Sequence, residues 1–117
     1  MKLNRVAVTG IGAICGLGNS VHEIWENAMN GKSGVTTLER HKTDGWAVNF
    51  GGEVKNFKLS EKLMDLKAQD RFDLFNQYAL HAGDEAVQMS GVLNANYAPE
   101  KSESSLVLVW VDSRISK

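Results

Sequence analysis

The side chains able to do covalent or metal chemistry in this sequence are few: one cysteine, Cys15, and three histidines, His22, His41 and His81. A cysteine nucleophile needs a base or a cation beside it to hold the thiolate. The spacing offers Cys15 neither, because it stands among Gly10, Gly12, Gly16 and Gly18 in a turn-rich connection, and it reads as a structural thiol. A single cysteine excludes an internal disulfide and a thiolate metal cluster, and fits a reducing compartment. The histidines lie far apart, with no second histidine at the three- to five-residue spacing that zinc ligands favour, so each reads as a surface or hydrogen-bonded side chain. No metal and no cofactor is expected.

The same glycines raise a second chemistry. Val6-Ala7-Val8-Thr9-Gly10-Ile11-Gly12-Ala13 looks like a strand running into a glycine turn, the arrangement that lets backbone N–H groups approach a pyrophosphate at a helix N-terminus. After Gly10 and Gly12 the third glycine of that fingerprint falls on Cys15, the following helix is delayed to Ser20, and no acid closes a second strand at the distance needed for a ribose. Dinucleotide binding is therefore disfavoured.

The elements that would position these residues follow from periodicity and punctuation. Arg5 to Thr9 is a β-branched, nearly continuous apolar run and predicts a strand buried on both faces. Ser20 with Glu23 three residues on is a capping box, and Val21, Ile24, Trp25, Ala28 and Met29 recur at helical spacing until Gly31. Residues 32–44 read as a loop turning at Gly34, and Gly51 to Val54 as a short strand. A short helix is predicted over Ser60 to Leu66 and a long one over Lys67 to Ser90, stopped by Gly91. The long helix carries Phe72, Phe75, Ala79, Ala82, Ala86 and Met89 along one stripe, and its alanines and Gly83 predict close packing against a neighbour. A polar loop containing Pro99 then leads to an apolar strand, Leu106 to Val111. This order, strand, helix, strand, helix, strand, predicts a single-domain α/β layered fold over residues 1–117 with largely parallel pairing. Two helices are few to cover both faces of such a sheet, so apolar surface is left for a partner.

Composition narrows the partners. Thirteen basic side chains nearly cancel fourteen acidic ones, giving a formal net charge of -1, and no basic stripe is present to neutralise a row of phosphates. Nucleic acid is not expected. The N-terminus has two early positive charges, but its short apolar run is broken by glycines, which does not make a signal peptide. No stretch reaches the roughly 18 apolar residues of a membrane span. A cytoplasmic protein with no membrane partner is expected.

Four ordered blocks carry a resemblance. They are Val8-Thr9-Gly10-Ile11-Gly12 with Leu17-Gly18-Asn19; Trp25 and the Gly31-Lys32-Ser33-Gly34 turn; Gly52-Glu53-Val54-Lys55-Asn56-Phe57; and Arg71-Phe72-Asp73-x-Phe75-x-x-Tyr78-Ala79. In that order they resemble the start of elongating beta-ketoacyl-acyl-carrier-protein synthases, the synthase II type of the thiolase-like superfamily, over residues 3–98. The resemblance implies part of a thiolase-like layered fold and a place in fatty-acid or polyketide elongation. There a cysteine thiolate takes the acyl chain, two histidines assist malonyl decarboxylation, and the reaction is a decarboxylating Claisen condensation. It also implies that the cysteine and both histidines lie downstream of the matched stretch. Cys15 aligns with a variable position of the first glycine turn.

The expectation is thus a truncated N-terminal ketosynthase-like segment, catalytically silent alone, with no catalytic, cofactor or metal residue of its own. An acyl carrier protein is a partner by resemblance only. In the same register Ile115 falls where the family places an acyl-pocket side chain, although residues 111–117 lack the glycines that flank that position in the family. The alternative is a non-catalytic interaction module whose uncovered apolar faces bind a second copy or a full-length synthase. Both predict association, as a homo-oligomer or with a synthase.

Overall fold

In a computed structural model of the chain, residues 5–94 are described. The first helix, α1, spans Val21–Met29. Ser20 is extended (φ -147°, ψ 158°), and its hydroxyl accepts the Glu23 N–H at 3.2 Å. The Glu23 carboxylate reaches back to the Asn19 N–H at 2.8 Å, one residue earlier than in the usual reciprocal box. At the other end Gly31 turns left-handed (φ 66°), its N–H bonding the Ala28 carbonyl and that of Lys32 the Asn27 carbonyl, a Schellman termination. Both ends lie where the sequence puts them.

The sheet differs from expectation. Strand β1, Val35–Thr37, lies within the segment read as loop, and β2, Phe50–Gly52, begins one residue before the expected strand and ends earlier. They pair antiparallel, Val35 opposite Gly52 and Thr37 opposite Phe50, so the expected parallel pairing is not what the described residues form. The Leu38 N–H extends the ladder to the Asn49 carbonyl, and Gly45 (φ 81°) helps turn the connecting loop. Glycines at two of its three positions give β2 almost no strand signal, while the β-branched Val35, Thr36 and Thr37 are too short a run to stand out.

The long helical stretch is broken. Residues 61–63 form a turn, α2 spans Leu66–Gln69, and α3 spans Leu74–Ser90, in place of a helix over 60–66 and a continuous one over 67–90. Asp65 and Asp73, both extended, start the two helices; only Asp65 makes a side-chain cap bond, accepting the Lys67 N–H at 2.8 Å. The break is held by glutamines. Gln77 donates to the carbonyls of Gln69 and Phe72 across the break, and Gln69 to that of Met64 ahead of α2. Gly91 (φ 67°) ends α3 as expected, followed by a 3-10 turn at Val92–Asn94.

Residues 5–14 run without a strand partner among the described residues, which corrects the reading of Arg5 to Thr9 as a strand buried on both faces. Val6 and Val8 are 91% and 81% exposed. Apolar β-branched residues favour an extended backbone, but burial and strand pairing need a neighbour, and the described residues supply none. The next residues do find one. Gly10 lies against the backbone of Ala86 and Ser90, and Gly12 against that of Ala82 and Ala86, so the chain rides directly on α3. The close packing expected of the small-residue stripe is made there, while Gly83 has open space where a side chain would be. Leu59, 5% exposed, is the one buried hydrophobic residue among those described. Pro99, the strand reading for Leu106 to Val111, and Ile115 lie outside the described residues.

Candidate functional site

The densest polar constellation is built on the face of α3 that meets the first connection. Tyr78, His81 and Glu85 recur there at three- and four-residue spacing, beside Ala82 and Ala86. The Glu85 carboxylate accepts two backbone N–H groups, from Ala13 at 3.0 Å and from Val21 at 2.9 Å. Val21 opens α1, so its N–H has no acceptor within the helix and its positive end faces a carboxylate. One turn earlier on α3, His81 Nε2 stands 2.7 Å from the Asn19 carbonyl. A carbonyl only accepts, so Nε2 carries the proton. Asn19 also donates its side-chain amide to the Lys55 carbonyl at 3.0 Å, binding the connection to the segment after β2. The Phe57 ring meets Tyr78 and His81 edge to face, with centroids 4.8 and 5.4 Å apart.

A second cluster ties the hairpin to the same helix. Glu53 accepts the N–H groups of Glu39 and Arg40 at 2.9 and 3.1 Å, and the Arg40 guanidinium lies 3.8 Å away and reaches the Tyr78 hydroxyl. The Glu39 N–H, aided by the Arg40 N–H and guanidinium, holds the Glu53 carboxyl below the ordinary glutamate range. Both clusters satisfy backbone groups. Neither places a nucleophile against a base.

Cys15 lies elsewhere, in a tight turn closed by reciprocal backbone bonds with Gly18 at 3.0 and 3.1 Å. Its thiol is half-buried and free. The histidines are engaged otherwise or solvated: His22 pairs with Glu26 on the exposed face of α1, His41 is exposed, and His81 bonds Asn19. Among the described residues no three histidine, cysteine or acidic side chains converge as a metal site would require. Nor is any helix long and apolar enough to cross a membrane. On the far side of α3 an open groove of about 440 Å³ runs between Leu63, Met64, Phe72, Leu80 and Val87, with Gly83 in its lining.

Sequence reasoning placed His81 only as a surface or hydrogen-bonded side chain, which its bond to Asn19 bears out, and missed Glu85 and the pairing of the two. Their signal was available, as polar residues four apart beside the alanines of the close-packed stripe, a position where an unpartnered polar group is costly.

The chain matches the family described as "Beta-ketoacyl synthase, N-terminal domain" over residues 3–115. It is 36% identical over 111 residues to the 3-oxoacyl-[acyl-carrier-protein] synthase 2 of Staphylococcus aureus strain COL, covering 95% of this chain and 25% of the relative. The protein of the same name in strain N315 is 38% identical over 112 residues, with the same two shares. That of Vibrio cholerae serotype O1 is 37% identical over 92 residues, covering 79% of this chain and 22% of the relative. The chain therefore spans about a quarter of the length of the curated relatives it matches. Glycines packed on a helix, a capped first helix and a glycine-ended long helix are thus features of a segment with named kin, and the chain belongs to the beta-ketoacyl synthase family, as a counterpart of its N-terminal domain.

Proposed function

We propose that these 117 residues serve as framework for a 3-oxoacyl-acyl-carrier-protein synthase, one partial, single-domain layer of a thiolase-like fold, and carry no catalytic group of their own. In this reading the decarboxylating condensation depends on a cysteine and two histidines in parts of the family beyond the matched stretch, and the acyl carrier protein named in the relatives is a partner of the whole enzyme. One observation carries it: Cys15 sits in a backbone-closed turn, while His81, the histidine that bonds the same connection, spends its Nε2–H on the Asn19 carbonyl. A thiol without a base is a poor acyl acceptor. The test is mass spectrometry of the chain after incubation with an acyl-acyl-carrier-protein thioester, with malonyl thioester decarboxylation followed in parallel. No adduct and no decarboxylation above background are expected; a stoichiometric acyl adduct on Cys15, lost in Cys15→Ser, refutes the reading.

A second reading, a non-catalytic interaction module, is favoured by the exposure of Val6, Val8 and Phe75 and by the apolar groove on α3. Light scattering on the chain alone and with a full-length synthase separates the two. Stoichiometric association, with itself or with the synthase, supports the module; a folded monomer indifferent to the synthase removes it.

A further inference from the structure

We infer that His81 and Glu85 act as one clamp, a donor and an acceptor four residues apart on α3 that together fix the backbone of the first connection and thereby the starting point of α1. The inference deepens the framework reading and rests on it. The two side chains grip the same short segment from opposite chemical sides: Glu85 accepts from Ala13 and Val21, and His81 donates to Asn19, which lies between them in sequence. Among the described residues the gripped N–H groups have no other acceptor: Val21 is the first residue of α1, and Ala13 lies in a stretch that has no strand partner there. Within the segment the Cys15–Gly18 turn is closed on itself, so the connection is a stiff loop held at both feet by one face of one helix. Asn19 adds a third strut through its amide to the Lys55 carbonyl. If the segment moves as a unit, releasing one foot weakens the other, and two side chains that act on different backbone groups become energetically coupled.

Amide hydrogen exchange on the full chain tests this. His81→Phe keeps an aromatic ring against Phe57 and removes only the donor; His81→Gln restores a donor. Glu85→Gln leaves one acceptor oxygen where two N–H groups need it. The clamp predicts that His81→Phe accelerates exchange at Ala13 and Val21, whose N–H groups bond Glu85 rather than His81, by roughly tenfold, the loss of about one net hydrogen bond. His81→Gln should recover most of the protection. Glu85→Gln should release at least one of the two amides to a similar degree, and the His81→Phe, Glu85→Gln double variant should exchange no faster than the faster single one. The Ile24 amide, bonded to the Ser20 carbonyl within α1, reports whether the helix survives. Unchanged exchange at Ala13 and Val21 in His81→Phe, or effects that simply multiply in the double variant, overturns the clamp and leaves two independent anchors. The framework reading stands or falls separately, on acylation of Cys15.

Discussion

Replacing Gly12 by alanine tests the contact on which the first connection rides. A Cβ built on Gly12 falls well inside contact distance of the Ala82 carbonyl oxygen, 2.8 Å from its carbon and 3.0 Å from the Ala86 nitrogen. All three are backbone atoms of a helix held by its own ladder, so no side chain can swing away and the segment itself must lift. Overpacking of this kind costs about 1 to 3 kcal/mol, and rigid neighbours put Gly12→Ala at the upper end. Lifting also stretches the Glu85 bond to the neighbouring Ala13 N–H. A loss of about 3 kcal/mol lowers the folding constant roughly a hundredfold, a large part of a marginal domain's stability. Urea unfolding followed by circular dichroism reads it as a lower midpoint at unchanged slope. Gly83→Ala is the control, since a Cβ there meets nothing within 4 Å. As a glycine-to-alanine change inside a helix it should stabilise by about 0.5 to 1 kcal/mol. Equal midpoints for Gly12→Ala and the parent chain would refute the packing account, and so would destabilisation by both variants to the same degree.

Other outcomes follow from the caps and the hairpin. Ser20→Ala removes the hydroxyl that accepts the Glu23 N–H and should cost about 1 kcal/mol, read from the same unfolding curves. Gly31→Ala forces a Cβ into a left-handed residue with open space around it, so its cost, about 1 to 2 kcal/mol, is purely conformational; a neutral result would remove the Schellman account of that helix end. For Glu53 the folded carboxyl titrates below its unfolded value, so its contribution is fully present above about pH 4.3 and is lost as pH falls through the lowered value. Carboxyl NMR titration should show that low midpoint and retain most of it in Arg40→Ala, because the Glu39 N–H is the leading cause; a midpoint at the ordinary glutamate value in the parent chain would sink the assignment.

What could be read from the sequence was whatever a local rule decides. The capping box at Ser20 and Glu23, the stops at Gly31 and Gly91 and the resemblance blocks need only nearby residues; both stops and the Ser20 cap stand in the structure as read, with the Glu23 carboxylate shifted to the Asn19 N–H. Elements that depend on distant partners were not legible. Arg5 to Thr9 has the residues of a strand but no neighbour to make it one among the described residues, and β1 and β2 exist because they meet each other despite weak individual signals. The interruption between α2 and α3 escaped because helical periodicity continues across it, while the glutamines that stabilise it act through long side chains. The spacing of His81 and Glu85 marks polar groups in need of partners, but not which partners, because these are backbone groups sixty or more residues away.

The glycine run that suggested a phosphate cradle has a packing explanation in which its refused spacing becomes the informative feature. Along an extended chain, residues two apart point to the same side and are separated by about 6.7 Å. On a helix, residues four apart share a face at about 6 Å. Gly10 and Gly12 satisfy the first condition, Ala86 and Ala82 the second, and the pairs meet in reverse order, Gly10 on Ala86 and Gly12 on Ala82. An extended segment can therefore lie antiparallel on a helix at backbone contact over two successive steps, provided neither glycine carries a Cβ and the helix presents only small residues, here Ala82, Ala86 and Ser90. Gly16 and Gly18 then serve different neighbours, the Gly34 carbonyl and the Glu23 side chain. A pyrophosphate site would need N–H groups left free for a ligand. Here the Ala13 N–H is taken by Glu85, those of Cys15 and Gly18 by each other's carbonyls, and that of Ile11 points at the Met89 sulfur. Four donors of the connection are thus committed, two to side chains of α3 and two to closing the turn itself.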